Sequence, residues 1–440
     1  MFVSGITLGA GLLLIEKYYR YQLDKMGWLP KNTTNNNLYD RRISGYTVRE
    51  NTPNYKLDAY DENFHQTEQL TDSNGFITGG PDLKKEKDSN TIRIFITGGS
   101  AAWGSIESCN MMHDNTYPSG TYCYRASIAG KLKRLLTQKY PGTNFEVINA
   151  AVVAFRFHQS LALYFERLHD FKPDVIINID GFNDMSNLVA IQGGDPYPSV
   201  VDQLEEEIQI ATMARLPERP YALAYYNLKH IKQQKLRTKM SFPAKDAISN
   251  DETVINHELN EKAFELVKPY LHVSDKMLWL ISSYERQLKT DGVYSIFCLQ
   301  PTLRRRGYQK ELSPTELRLR ASLEKVTVAD TINTRLAINS DKGLLLLYAT
   351  IEPIIHQGVY WMPDMLSAYV FNQLSPVLDS TVSSNGGTYL DINKEMTGIK
   401  SEEEFYVDYC HLTPYGNEFV AEMLADKVDS FMKQRFKNHS

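Results

Sequence analysis

The stretch TIRIFITGGSAAWG, residues 91–104, decides the reading of the fold. Ile92-Arg93-Ile94-Phe95-Ile96 is a short β-rich run, and Thr97-Gly98-Gly99-Ser100 turns it sharply into the small residues Ala101 and Ala102. A serine in that place is lifted to the carboxyl edge of a sheet, where open α/β folds build their sites. Working outward, Arg125–Gln138 has helical spacing and stops at Pro141-Gly142, and Phe145–Asn149 is a second strand. Gln159–Leu168 is a further helix, Val175–Ile179 a third strand ending in Asp180-Gly181, and Val293–Cys298 a fourth. Thr388–Ile392 is the last strand, and Gly416–Met432 is a closing helix. Strands apolar on both faces and alternating with helices predict a three-layer α/β/α domain with a mainly parallel sheet.

The rest of the chain is organised around that domain. The 440 residues are 42% hydrophobic and 23% charged with a net charge of −5, which gives ample core and excludes general disorder. A slightly acidic chain lacks the basic field of a general nucleic-acid binder, so no nucleic-acid partner is expected. Phe2–Ile15 carries no charge and is followed at once by Glu16, Lys17 and Arg20. The run falls short of the ~20 residues that span a bilayer comfortably, and no small-residue cleavage pattern follows it. Residues 1–20 are therefore expected to be an uncleaved membrane anchor, with a buried helix as the alternative. The basic residues after the run argue on their own for a cytoplasmic body. Residues 21–90, rich in Asn, Gly and Pro, read as an extended connector. The domain is expected over 91–435, enlarged by helical insertions at about 196–290 and 311–378, which are candidate surfaces for protein partners.

Three weak signals converge on chemistry. Ser100 follows one strand, and Gly181-Phe182-Asn183-Asp184 follows another, so both reach the same sheet edge. Asp408-Tyr409-Cys410-His411 precedes the closing helix. A carboxylate three residues before a histidine can bind the imidazole Nδ1–H from one local turn, leaving Nε2 to take a proton from a serine hydroxyl. Four cysteines, Cys109, Cys123, Cys298 and Cys410, form no C-x-x-C pair, which gives zinc-ribbon or redox chemistry no support; a Cys109–Cys123 disulfide and free thiols both remain open. His257-Glu258 lacks the second histidine of a zincin helix, so no metal is called for. The turn at 97–104 also resembles the glycine turn of short-chain dehydrogenases, with Tyr225 and Lys229 as a Y-x-x-x-K pair, but that reading leaves the segments at 181–184 and 408–411 without a role.

Taken in order, IFITGGSAAWG (94–104), Asn149-Ala150-Ala151, DGFND (180–184) and VDYCHLTPYGN (407–417) resemble the four motif blocks of the SGNH, or GDSL-like, hydrolase superfamily. The resemblance covers about half of the chain. It implies Ser100 as nucleophile, His411 as base and Asp408 as its orienting acid. It further implies an oxyanion hole from the Ser100 and Ala151 N–H groups and the Asn183 amide. The family's second block has glycine where Ala151 stands; alanine keeps the N–H and adds a methyl group. The implied activity is cofactor-free acyl transfer: a serine esterase removing acyl groups, acetyl above all, from an extracytoplasmic glycan or small ester. An O-acyltransferase with the same triad and a catalytically reduced scaffold subunit are the alternatives. Trp103, Arg156 and His158 lie next to these blocks and are candidates for substrate contact, each weighed against a packing or surface role. Arg304-Arg305-Arg306, after the fourth strand, reads first as a solvated basic loop and second as a site for an anionic polysaccharide. The relatives' habit places the domain outside the cytoplasm, against the charge-flank argument.

Overall fold

The computed structural model describes residues 17–19, 21–22, 41–44, 47–60, 65–104, 122–184, 189–191, 253–254, 271–305, 307–308, 310–323, 326–327, 364–400 and 403–437. The chain divides into two compact units, residues 1–52 with 198–249 and residues 53–197 with 250–440. In the first, β1 (Arg41–Ser44) and β2 (Val48–Asn51) form an antiparallel hairpin. Residues 1–16 of the expected anchor lie outside the described residues. No helix among the described residues is long and apolar enough to cross a membrane.

The second unit holds the α/β fold. A hairpin of β3 (Lys56–Tyr60) and β4 (His65–Gln69) precedes it. Its central sheet contains β5 (Thr91–Gly98), β6 (Asn144–Asn149), β7 (Val175–Asp180), β11 (Tyr294–Leu299) and β13 (Thr388–Asp391). The short strands β8 (Val189–Ile191) and β10 (Leu271–Val273) pair antiparallel outside it, as do β9 (Thr253–Val254) and β12 (Val326–Thr327). The sheet order is β13-β11-β7-β5-β6, with every neighbouring pair parallel. The chain therefore leaves β5 to one side for β6 and then crosses to the other side for β7. Such a reversal opens a crevice at the carboxyl ends of β5 and β7, the place where doubly wound sheets bind ligands.

Alternate residues of each strand enter two cores. Ile94, Ile96, Ile177 and Ile296 face α3 (Ile128–Lys139) and α8 (Pro414–Lys437), which contribute Leu132, Leu136, Val420 and Leu424. Phe95, Ile148, Ile176 and Phe297 face α4 (Phe157–Leu163), α5 (Asp275–Thr290) and α7 (Asp364–Ser384). This two-sided burial explains the runs of consecutive apolar residues. α5 lies wholly and α7 partly within the stretches expected as insertions, yet Ile281, Leu288, Phe371 and Leu374 pack them, with α4, as one layer of the sandwich. The helix expected as continuous over 125–138 breaks at Ser127, whose hydroxyl accepts the Gly130 N–H and caps α3; α2 (Tyr122–Ala126) ends before it.

The stretch read as an extended connector is not wholly extended. Leu70, Phe76, Ile77 and Leu83 are buried. Asp72 ties the turn together, its carboxylate accepting the N–H groups of Asn74, Phe76 and Leu83 at 2.8–3.0 Å. Ile77 exchanges two backbone hydrogen bonds with Asn149, each 3.0 Å, and so covers part of the β6 edge. Polar turn residues hid these four apolar anchors from a reading by composition.

Candidate active site

Ser100 is the first residue of α1 (Ser100–Trp103), immediately beyond β5. The N–H groups that begin a helix have no intrahelical acceptor, so the Ser100 N–H points out of the turn as a donor. Both glycines before it are required by close approach. Gly98 has φ +137°, and a β-carbon there would lie 2.2 Å from the Ile179 carbonyl oxygen on β7. A β-carbon on Gly99 would lie 2.5 Å from Asn183 Nδ2. The serine turn and the Asn183 amide are thus in direct apposition across the β5–β7 crevice. Asn183 Nδ2 donates one hydrogen to the Phe155 carbonyl at 2.9 Å, which fixes the orientation of the amide.

The turn carrying Asn183 is held from below. Asp184 Oδ1 accepts the Phe157 N–H at 2.8 Å, fastening the start of α4 to it. Asp180, at the end of β7, is buried together with Asp184. Burial raises the pKa of both; that of Asp184 is pushed up to about 6, and the neighbouring Asp184 carboxylate adds to the rise at Asp180. The Phe157 N–H bond and the charge of Arg156, the residue that precedes α4, offset part of the rise at Asp184.

The second half of the site is a loop closed like a small hairpin. Thr413 N–H donates to Phe405 O at 2.9 Å, Val407 N–H to His411 O at 3.0 Å, and Tyr406 bridges Leu412. At its tip Asp408 Oδ1 accepts the N–H groups of Cys410 and His411, both at 2.8 Å, while Oδ2 meets His411 Nδ1 at 2.6 Å. The carboxylate therefore fixes its own turn and the imidazole together. Burial by itself would lower the His411 pKa, but hydrogen bonds to Asp408 and the adjacent Cys410 outweigh it and the net shift is upward. Burial likewise pushes the Cys410 thiol up, which keeps it neutral near pH 7. Asp408, Cys410 and His411 bring a carboxylate, a thiol and an imidazole within 4.8 Å of one another. The 2.6 Å Asp408–His411 spacing is that of a shared proton, since two ligands ~2.0 Å from one tetrahedral ion would stand about 3.3 Å apart.

Aromatic packing joins the halves. The Phe182 ring, beside Asn183, lies 5.1 Å from the Tyr409 ring, and the Tyr409 ring lies 6.2 Å from the His411 ring. Ser100, Asn183, Asp408 and His411 thus share the carboxyl edge of the sheet. Ala151 is placed differently: its N–H donates to Asn149 Oδ1 at 3.1 Å, while the Asn149 amide donates to Ala102 O and Trp103 O. In this arrangement the second block braces the serine turn. Trp103 is half-buried and packs on the α3–α8 core. His158, half-buried one residue into α4, has its pKa lowered to about 4 by burial and by Arg156 and Lys276, and so is neutral at pH 7.

Arg304 and Arg305 correct the expectation of a solvated basic loop, for both are fully buried. Arg305 donates to Asp391 at 2.6 Å and to Asn372 at 3.1 Å. The Arg304 guanidinium stacks 5.6 Å above the Tyr409 ring, beside the histidine loop. These partners are distant in sequence, so no local pattern announces them. Arg306 and Cys109 lie outside the described residues, as does the Cys123 side chain; Cys298 and Cys410 are free and buried.

No family model and no curated protein sequence matches this chain. Among solved structures, an acetylxylan esterase from Geobacillus stearothermophilus in a catalytic-mutant form is similar at a TM-score of 0.32 and 11% identity, over 77% of this chain and 94% of that one. The acetyl xylan esterase AlAXEase is similar at a TM-score of 0.32 and 10% identity, over 77% of this chain and all of that one. TesA is similar at a TM-score of 0.29 and 9% identity, over 75% of this chain and 94% of that one. At TM-scores of this size the likeness carries no weight for function, which must be read from the residues at the sheet edge.

Proposed function

We propose that this protein is a carboxylic ester hydrolase of the SGNH type with Ser100, His411 and Asp408 as its triad. The observation that carries the reading is the Asp408–His411 pair, whose carboxylate binds Nδ1 and two backbone N–H groups at once, leaving Nε2 for a substrate-side proton. Ser100 Oγ attacks the ester carbonyl as His411 Nε2 takes its proton, and the imidazolium is stabilised by Asp408. The Ser100 N–H and the Asn183 amide receive the oxyanion. Collapse expels the alcohol, protonated by His411, and leaves an acyl-serine. Water, deprotonated by His411, then attacks the acyl-serine; the acid leaves and Ser100 regains its proton.

The substrate class drawn from the resemblance is an acylated glycan, with acetyl as the acyl group. Residues 1–20 are proposed to tether the domain to a membrane, facing outward from the cytoplasm. The test is hydrolysis of an aryl acetate followed by acetate release from acetylated oligosaccharides. Ser100→Ala and His411→Ala should each abolish both while leaving the thermal midpoint close to wild type. Retention of either activity in a folded variant refutes the triad.

A further inference from the structure

Glu316 lies outside every motif block, yet its carboxylate holds the histidine loop. It stands in the first turn of α6 (Pro314–Leu323) and is fully buried. Its Oε2 accepts the Ser313 N–H at 2.9 Å, while the Ser313 hydroxyl accepts the Glu316 N–H at 3.2 Å: a reciprocal cap, with Pro314 in the position where a helix tolerates it. A helix cap requires no more. The other oxygen, Oε1, instead accepts the backbone N–H groups of Phe405 at 2.7 Å and Tyr406 at 3.2 Å, 89 and 90 residues further along the chain. Lys310 neutralises the charge from 2.7 Å, with both side chains at 0% exposure. Its ammonium also donates to Glu311 O and lies 5.0 Å from the Phe405 ring centroid.

Phe405 and Tyr406 are the first rung of the loop that carries Asp408 and His411. Phe405 O takes the Thr413 N–H and Tyr406 bridges Leu412, so the backbone that Glu316 clamps is the base from which the catalytic turn projects. We infer that Glu316, charge-matched by Lys310, is a positioning residue for His411: it sets the depth and orientation of the Asp408–His411 turn relative to Ser100. The clamp lies in the stretch read from sequence as an insertion, and it therefore links that helix to the chemistry. This inference rests on the triad reading for its catalytic consequence, though not for its geometry.

Glu316→Gln tests it. The variant leaves the Lys310 cation buried with a neutral partner, and the amide oxygen is drawn toward the ammonium and away from the two N–H groups. A displacement of about 1 Å at a catalytic group costs up to about 10²-fold in rate. Fluorophosphonate labelling of Ser100 should slow at least about tenfold, and the His411 pKa, followed by imidazole NMR, should fall toward its ordinary value. Adding Lys310→Met removes the stranded cation and returns the amide oxygen to the N–H groups, restoring most of both readouts. Unchanged labelling and titration in Glu316→Gln overturn the inference. So does a double variant that recovers the thermal midpoint without recovering the labelling rate and the His411 titration. If Glu316→Gln does not fold, Glu316→Gln/Lys310→Met and Glu316→Ala/Lys310→Met are compared instead. The Ala pair should label slower and show the lower His411 pKa, and equality between the pairs overturns the inference. A wild type that never labels, but whose His411 pKa still falls in Glu316→Gln, defeats the esterase reading and leaves the positioning role standing.

Discussion

Replacing Asp408 by Asn tests the electrostatic half of the triad. The carboxylate lies 2.6 Å from His411 Nδ1. Its charge is centred about 4 Å from that of the imidazolium formed in the transition state, and at an effective dielectric constant of about 20 this attraction amounts to about 4 kcal/mol. The Asp408 side chain is 39% exposed, and solvent screening reduces the figure to about 3 kcal/mol, or about 10² in rate. A second loss follows from proton placement. An Asn amide can turn its NH2 toward Nδ1, which forces the imidazole proton onto Nε2, where it blocks acceptance of the serine proton. Together these give an expected loss of about 10³–10⁴ in kcat. The amide oxygen of the new side chain can still accept the Cys410 and His411 N–H groups, so the fold should survive.

The assay is the pH profile of kcat/KM for an aryl acetate, with the thermal midpoint as control. The base must be neutral to act, so activity rises with pH through the His411 pKa. In the wild type that pKa is raised, and the acid limb should lie above pH 6.5. In Asp408→Asn the limb should move to lower pH while the plateau falls. A folded variant keeping more than about a tenth of wild-type activity, with its acid limb unmoved, refutes the reasoning.

Other outcomes follow from the same geometry. Asn183→Ala should lower kcat by about 10²–10³ with little change in KM, since it removes a donor that acts in the transition state. Gly99→Ala puts a methyl carbon 2.5 Å from Asn183 Nδ2; kcat should fall by about 10² through displacement of that amide, which steady-state kinetics on folded protein would check. Glu285, buried on α5 and accepting the Ser295 hydroxyl at 3.0 Å, has its pKa pushed by burial up to about 7. The folded state then holds a proton that the unfolded state has released, so stability declines as pH rises from about 4.5 to about 7. Glu285→Gln should flatten that decline and stabilise the protein by about 3 kcal/mol at pH 8, measured by denaturant titration.

The sheet was legible in the sequence because its strands are buried on both faces, which leaves consecutive apolar runs such as Val175–Ile177 and Ile94–Ile96. The candidate edge was legible because two of its residues come soon after strands: Ser100 beyond β5, and Asn183 in the turn that follows β7. What escaped is held by long-range polar contacts. Arg304 and Arg305 look like solvent-facing residues until Tyr409, Asp391 and Asn372 are placed around them. Glu316 looks like an ordinary first-turn glutamate until Phe405 and Tyr406 arrive from 89 and 90 residues away. Ala151 was read as an oxyanion donor by position in its motif, and its N–H instead meets the Asn149 side chain. That bond depends on a side-chain rotamer, which motif spacing does not encode.

The central claim is that Ser100 is an activated nucleophile, and covalent capture tests it most directly. The full chain is treated with a fluorophosphonate and its intact mass measured beside Ser100→Ala. One adduct per wild-type chain, absent from the variant, is the expected result. A folded wild type that stays unmodified, or a Ser100→Ala variant that labels equally, contradicts the account.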